Sequence, residues 1–336
     1  MTGRVLLTGG AGFIGSHSYV ALVEAGFETI ILDSFANAHR DVPERLARIT
    51  GRPTPVIEAD IRDSIAVQKA MDGGRFDAVV HFAALKSVPG SEADPVGYYD
   101  VNVGGLVNVV RAMQAHGISR MVFSSSAAVY GEAEVMPVTE DSPVRPQNVY
   151  ARTKLVGEDF LAAVRRANPD FALGILRYFN PVGAHGSGLI GEDPGQPAGN
   201  LVPVIAQVAA GRREKLMIFG DDWPTPDGTA IRDYIHVEDL ARGHVLSLER
   251  LLQPESERSH LVNLGTGRGH TVREVIDCYE KVSGQPIRAE IAPRRAGDAA
   301  ISYADTGRAE QLLGFRATRD LASMCASNWA FMRAKA

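Results

Sequence analysis

The segment Thr8-Gly9-Gly10-Ala11-Gly12-Phe13-Ile14-Gly15 joins a short apolar run, Val5-Leu6-Leu7, to a stretch of helical spacing, and no other feature restricts the fold as much. Gly9, Gly12 and Gly15 fit one dinucleotide-binding spacing, and Gly10, Gly12 and Gly15 fit the other. The physics is common to both. Glycine lets the backbone turn tightly and approach a pyrophosphate, and the helix N-terminus presents free N–H groups and the positive end of its dipole. Alone, the same glycines would be a tight structural turn. After a strand and ahead of a helix, they read as the first turn of a βαβ unit. Asp33 closes the second apolar run, Thr29-Ile30-Ile31-Leu32. A carboxylate there accepts both ribose hydroxyls of an adenosine and repels a 2′-phosphate, which favours NAD over NADP. The alternative is an Asp that caps its own loop. Asp60 follows the third run and Phe82-Ala83-Ala84-Leu85-Lys86 the fourth, both at carboxyl ends of strands, where ligands bind in open α/β sheets.

The alternation continues. Val56-Ile57, Ala78-Val79-Val80-His81, Met121-Val122-Phe123 and Leu173-Gly174-Ile175-Leu176 are short runs without polar alternation, as expected of strands covered by helices on both faces. Helical spacing fills 13–25, 101–116 and 150–166. This predicts an α/β fold, a doubly wound parallel sheet of the Rossmann type. Residues 181–200 are rich in Gly and Pro and read as a long loop. Beyond it come a helix near 201–210, a strand at Leu216-Met217-Ile218-Phe219, a strand-then-helix over 231–240 and a strand at Leu261-Val262-Asn263-Leu264. The division expected is an NAD-binding domain over 1–180, with returning segments near 230–265, and a smaller mixed α/β substrate domain over 181–336.

With 45% hydrophobic and 22% charged residues, the chain has the apolar content that disordered sequences lack. Its net charge of −5 gives no basic footprint for nucleic acid. No apolar run approaches the length of a membrane span, and a buried-strand pattern opening at residue 4 leaves no room for a signal peptide. Cys278 and Cys325 form no metal-spaced pair, so no metal is expected and a cytoplasmic setting is.

Ser124-Ser125-Ser126 ends the fifth run, and Tyr150 and Lys154 open the helical stretch that follows. At i and i+4 the two stand on one helix face. A phenol with an ordinary pKa near 10 is a poor base at neutral pH. A cation held close, from Lys154 and a positive nicotinamide ring, favours the phenolate; a fall of about three units corresponds to roughly 4 kcal/mol. Ser126 would share the proton and orient a sugar oxygen. A Tyr and a Lys on a solvated helix face are the bland alternative, and placement in a sheet that begins with the glycine loop argues against it.

From these residues on, the chain resembles the UDP-glucose 4-epimerase family of the extended short-chain dehydrogenase/reductase superfamily. The matching stretches are 5–17, 30–37, 81–88, 123–131, 150–154, 177–185, 200–208, 218–228, 232–236 and 293–298. The most specific are Arg177-Tyr178-Phe179-Asn180-Pro181-Val182-Gly183-Ala184 and Arg232-Asp233-Tyr234-Ile235-His236-Val237. The resemblance implies an NAD site lined by Phe13, Ile14, Asp33, Ser34, Asn37, Ala38, Asp60, Ile61, Phe82, Ala83, Ala84, Lys86 and Phe179, with the glycines of the loop. It makes Tyr150 the base, gives Lys154 the lowering of its pKa and a hold on the nicotinamide ribose, and has Ser126 bind the sugar. Asn180, Asn200, Leu201, Leu216, Phe219, Arg232, Arg295 and Asp298 would take the UDP part, with Lys86 also facing the substrate. Without it, Arg295 reads as a surface salt-bridge residue.

The implied activity is inversion at C4 of UDP-glucose and UDP-galactose, by hydride transfer to NAD, turning of the 4-keto sugar and hydride return. A homodimer built on two helices per subunit is also implied. Two positions depart from the family pattern. Val101 stands where an Asn is usual, removing one polar contact near the cofactor. Ser302 stands at the end of the sugar pocket, where a small residue leaves room for an N-acetyl group at C2, so UDP-GlcNAc and UDP-GalNAc enter the expected substrate range. The rivals are a nucleotide-sugar dehydratase or decarboxylase of the same superfamily and a non-catalytic NAD-sensing module. The first needs acids just after the serines, where Ala127 and Ala128 stand; the second tends to lose the Tyr/Lys pair.

Overall fold

Val5, Leu6 and Leu7 are fully buried, which requires a strand covered on both faces. The computed structural model describes residues 3–193, 199–254, 258–295 and 297–335. In chain order the strands are β1 (Arg4–Thr8), β2 (Glu28–Asp33), β3 (Val56–Glu58), β4 (Ala78–His81), β5 (Arg120–Ser126), β6 (Ala172–Tyr178), β7 (Asn180–Val182), β8 (Leu216–Phe219), β9 (Ile231–His236), β10 (His260–Leu264), β11 (Gly269–Thr271), β12 (Ala289–Ala292) and β13 (Ile301–Ser302). The α-helices are α1 (Phe13–Glu24), α2 (Val42–Thr50), α3 (Ser64–Asp72), α4 (Val88–Ala93), α5 (Pro95–Tyr99), α6 (Leu106–Ala115), α7 (Val149–Ala167), α8 (Leu201–Ala209), α9 (Val237–Leu252), α10 (Val272–Ser283), α11 (Gly307–Leu313) and α12 (Leu321–Ala334).

A seven-stranded sheet runs β10-β6-β5-β4-β1-β2-β3, with every pair parallel. Because strand residues alternate faces, Leu7, Ile31 and Val80 pack on one side with Leu248 and Leu251 of α9. Leu6, Ile30, Val79 and Phe123 pack on the other with Val109 and Met113 of α6 and Leu161 of α7. The strand order reverses between β1 and β4, and there the crevice opens at the carboxyl ends of the strands.

Beyond β6 the chain builds a mixed sheet of β7, β9, β11 and β13 and a parallel pair, β8 with β12. Its core is Val202, Ile205, Ile218, Tyr234, Val275 and Tyr279, closed by Met324 and Cys325 of α12. Within 230–265, α9 and β10 go back to the large sheet, whereas β9 belongs to the small one. The expected loop over 181–200 starts inside β7 and is pinned by a bridge between Ala184 and Gly191; its residues 194–198 lie outside the described residues, as does Ala296 within 293–298.

The single helix expected over 101–116 is two pieces. Asp100–Gly105 forms a wider, π-helical turn before α6. Within it Asn102 is turned inward, and its side chain accepts from Leu85 N at 2.8 Å and donates to Leu85 O at 3.0 Å and Thr153 Oγ1 at 2.9 Å. Such bulges recur at functional sites.

Candidate active site

β1 ends at Thr8, and Gly9 turns the chain in the left-handed region at φ +71°. A Cβ on Gly9 would stand 2.6 Å from Ala83 N, and one on Gly15 2.2 Å from Gly9 O. Gly12 then caps α1 with no side-chain hydrogen bond, so the first-turn N–H groups are left for a ligand. The cradle and the bare helix start fit a dinucleotide pyrophosphate. Gly15→Ala therefore abolishes stoichiometric cofactor retention; equilibrium dialysis against NAD checks it, and undiminished binding would contradict the packing argument.

The loop opens into a cavity of about 670 Å³. Asp33 lies on its wall, with Oδ2 accepting from Ala11 N and Oδ1 from Phe35 N, both at 2.9 Å. Burial raises its pKa, and those backbone N–H groups oppose the rise. The loop-capping and ribose-binding readings of Asp33 are thus compatible, since each carboxylate oxygen keeps a second lone pair. Ser34, Asn37 and Ala38 continue the wall, as do Asp60, Ile61 and Phe82 through Ala84. Asp60 is gripped by Arg62, which holds its carboxyl below the usual range.

Tyr150 sits in the first turn of α7, which Asn148 caps by accepting from Ala151 N at 2.8 Å. That cap fixes where the phenol enters the cavity, opposite Ser126 at the end of β5. Burial pushes the phenol's pKa up, and the Ser126 hydroxyl pulls it back. The expected lowering by Lys154 does not contribute in the protein alone. The Lys154 ammonium donates to Ser124 O at 2.8 Å, and burial brings its own pKa down to about 8, with Glu158 acting the other way.

Behind the cavity stands a layer the sequence reading missed. His244 Nδ1 lies 2.9 Å from Leu240 O, and because a carbonyl only accepts, this nitrogen carries the proton. Its Nε2 then accepts from the Ser124 hydroxyl at 3.0 Å. His81, 2.8 Å from Thr8 Oγ1, is brought to about 3 by burial and the Lys154 charge, so Lys154 is the cation at this end. One turn beyond Lys154, Glu158 takes the Arg177 Nε at 2.9 Å and the Ser125 hydroxyl. The only sequence signal for it was spacing, since Tyr150, Lys154 and Glu158 fall at i, i+4 and i+8. Val101 lines the cavity with an apolar side chain, and the polar contact of this turn is made one residue on, by Asn102.

Asn180, Asn200, Arg232, Arg295, Asp298 and Ser302 share the same cavity, as do Lys86 and Phe179. Burial lowers the pKa of Arg232, a state that an anionic ligand would relieve. Arg295 pairs with Asp298 at 2.9 Å and lies over the Phe219 ring at 4.5 Å; the salt-bridge reading and the wall reading of this residue are both correct. Leu201, Leu216 and Phe219 are not on the cavity wall. Leu216 is buried in the small core, and Phe219 reaches the site through Arg295. Among the described residues no cluster of His, Cys, Asp and Glu could hold a metal, and no helix is long and apolar enough to cross a membrane.

Residues 5–265 match the NAD dependent epimerase/dehydratase family. The chain is 46% identical over 325 residues to the UDP-glucose 4-epimerase of Bacillus subtilis (strain 168), covering 97% of this chain and 95% of that protein. A crystal structure of UDP-glucose 4-epimerase from Bifidobacterium longum in complex with NAD+ and UDP superposes with a TM-score of 0.94 at 42% identity, covering 98% of both chains. Another, from Stenotrophomonas maltophila with bound NAD and formylated UDP-arabinopyranose, gives 0.96 at 47% identity, covering 99% of this chain and 98% of that one.

Proposed function

The chain belongs to the NAD dependent epimerase/dehydratase family, and from that membership we infer that it inverts C4 of UDP-glucose and UDP-galactose with NAD as its cofactor. The observation that carries this is the sharing of one cavity by the bare start of α1, by Ser126, Tyr150 and Lys154, and by the cations Arg232 and Arg295. Cofactor, base and nucleotide anchor then face one another, as a redox-neutral epimerase needs. When bound, NAD supplies the group that takes a hydride from C4 and gives it back, and its positive ring adds to the charge favouring the phenolate.

The chain's own residues do the rest. Tyr150 takes the proton from the sugar 4-hydroxyl, directly or through Ser126, and later returns it. Lys154 supplies a fixed positive charge beside the phenol. Asp33 accepts the adenosine ribose hydroxyls, and the α1 N-terminus takes the pyrophosphate. Arg232 and Arg295 hold the diphosphate of the sugar nucleotide with planar donor forks, and Asn180, Asn200 and Asp298 offer amide and carboxylate partners to the uridine. The sugar end of the wall includes Ala127 and Ala128, whose side chains make no hydrogen bond. They let a hexose turn while its nucleotide stays anchored, and they cannot move the protons that a dehydratase moves on neighbouring carbons. Incubation with UDP-galactose and UDP-N-acetylgalactosamine separately, with products identified by chromatography, tests the reading; a chain that converts neither and never changes absorbance near 340 nm is not an epimerase.

Ser302 sets the substrate range in this reading. It lies on the cavity wall at the end of β13, and a small side chain there would leave room for a substituent at C2 of the hexose. Ser302→Tyr is expected to remove activity on the N-acetylated pair, by at least about tenfold relative to UDP-galactose, as steric exclusion from a pocket commonly does. An unchanged ratio of the two activities would refute this gate.

The same reading assigns 1–180, with α9 and β10, to cofactor binding and the remainder to the nucleotide sugar. It pairs α6 and α7 with their copies across a twofold axis, which sedimentation equilibrium tests, and it takes a cytoplasmic setting from the two unlinked cysteines.

A further inference from the structure

Two acidic residues that the chemistry does not use, Glu192 and Asp193, lie on the wall of the cofactor cavity. They end the segment 184–193, which leaves the small sheet after β7 and turns back on itself at the Ala184–Gly191 bridge. Ile190 is buried in the core of the large sheet, which anchors the middle of the segment. From there contacts go to side chains of the NAD half. Glu192 Oε1 is 2.8 Å from Lys86 Nζ, and Lys86 in turn lies over the Phe13 ring beside the glycine loop. Asp193 Oδ2 is 2.9 Å from His39 Nε2, on the loop that follows Asp33, and also takes Lys335. Arg45 of α2 donates to Leu189 O at 3.4 Å. Glu192 is the buried member, its side chain only 6% exposed, and the same oxygen accepts from Asn200 Nδ2 at 2.8 Å. One carboxylate thus joins a residue beside the pyrophosphate cradle to a residue of the nucleotide-sugar end.

We propose that Glu192 and Asp193 clasp the segment 184–193 over the cofactor, and that Glu192 ties cofactor retention to the filling of the nucleotide-sugar site through Asn200. The inference rests on the reading of the cavity as an NAD and UDP-sugar site. It meets a need of that chemistry: a reaction that starts and finishes on one bound cofactor fails whenever the cofactor leaves between the two halves. Charge alone predicts the opposite of a clasp. Two carboxylates beside a pyrophosphate repel it, so removing their charge should slow release if they act only electrostatically. If they fasten the segment, removing it speeds release.

The experiment uses the NAD-loaded protein, without turnover. NAD that dissociates is trapped by alcohol dehydrogenase with ethanol, and absorbance is followed at 340 nm. Glu192→Gln is expected to release NAD at least about tenfold faster than wild type, since removing a buried charged partner acts mainly on the off-rate, and Asp193→Asn, at a side chain 28% exposed, to release it faster by a smaller factor. Saturating UDP is expected to slow release from wild type about threefold or more and to leave Glu192→Ala unaffected, because alanine has no acceptor for Asn200 Nδ2, whereas the amide oxygen of Glu192→Gln can still accept from it. Glu192→Asp keeps the charge on a shorter arm and should fall between; it decides the matter, with Asp193→Asn, if Glu192→Gln does not accumulate as folded protein. Unchanged or slower release overturns the clasp, and equal slowing by UDP in wild type and Glu192→Ala overturns the tie to Asn200. Failure of wild type to convert UDP-galactose would instead strike the underlying functional reading, which the release assay does not measure.

Discussion

Tyr150→Phe is expected to lower kcat by at least about a hundredfold while NAD and UDP-galactose still bind, which is the loss a missing general base produces. The ring remains, so the packing at the start of α7 is kept, and the Asn148 cap that aims the side chain does not involve the hydroxyl. The change therefore isolates one proton acceptor. NAD content and KM should stay near wild type; comparable turnover in the variant would remove Tyr150 from the role. The acid side of the wild-type profile carries the same information. Only the phenolate can accept a proton, so activity falls as pH decreases through the phenol's pKa in the NAD-loaded protein, which burial raises and the positive nicotinamide ring lowers. In the proposed mechanism Lys154 lends positive charge to the phenolate, so Lys154→Met should shift this limb toward higher pH.

The largest stability effect is expected one helical turn further along. Glu158 and Arg177 are each 5% exposed and are joined by Nε–carboxylate contacts at 2.9 and 3.2 Å. The Ser125 hydroxyl donates to Glu158, and Arg177 donates to Glu140 O at 3.3 Å and lies over the Tyr130 ring. Glu158→Gln leaves a buried guanidinium without its counter-charge, which typically costs about 3–5 kcal/mol. Urea denaturation of the two proteins measures it. Replacing both partners, Glu158→Leu with Arg177→Met, should recover most of the loss, because two well-packed apolar groups avoid the desolvation of two ions. Equal destabilisation by the single and double changes would mean that shape, not charge, sets the value of this pair.

The seven parallel strands were legible because each is a short apolar run, and a strand covered on both faces has no other way to look. The glycine loop was legible for a different reason: Gly9 needs a positive φ and Gly15 has no room for a Cβ, so the residue type records the backbone. Tyr150 and Lys154 were found from helical spacing. What the sequence could not show were groups whose meaning lies in a partner far along the chain. Asn102 is an ordinary Asn until it meets Leu85 and Thr153. His244, remote from the serines, becomes informative only where α9 lays it against Ser124. Glu192 looks like part of a Gly-rich loop until Lys86 and Asn200 converge on it. The assignment of Leu201, Leu216 and Phe219 to the substrate came from resemblance alone; Leu216 is buried in the small core, whereas Phe219 is exposed and stacks under Arg295.

The path of the chain through β9, α9 and β10 has a consequence for dissection. A fragment that stopped after β6 would leave that strand as an open edge, with unpaired N–H and C=O groups where β10 should dock. It would also bare the apolar face that Leu248 and Leu251 of α9 now cover. Neither half is a transplantable module. Swapping nucleotide-recognition halves between relatives would require cutting on both sides of α9 and β10 and carrying a two-piece graft.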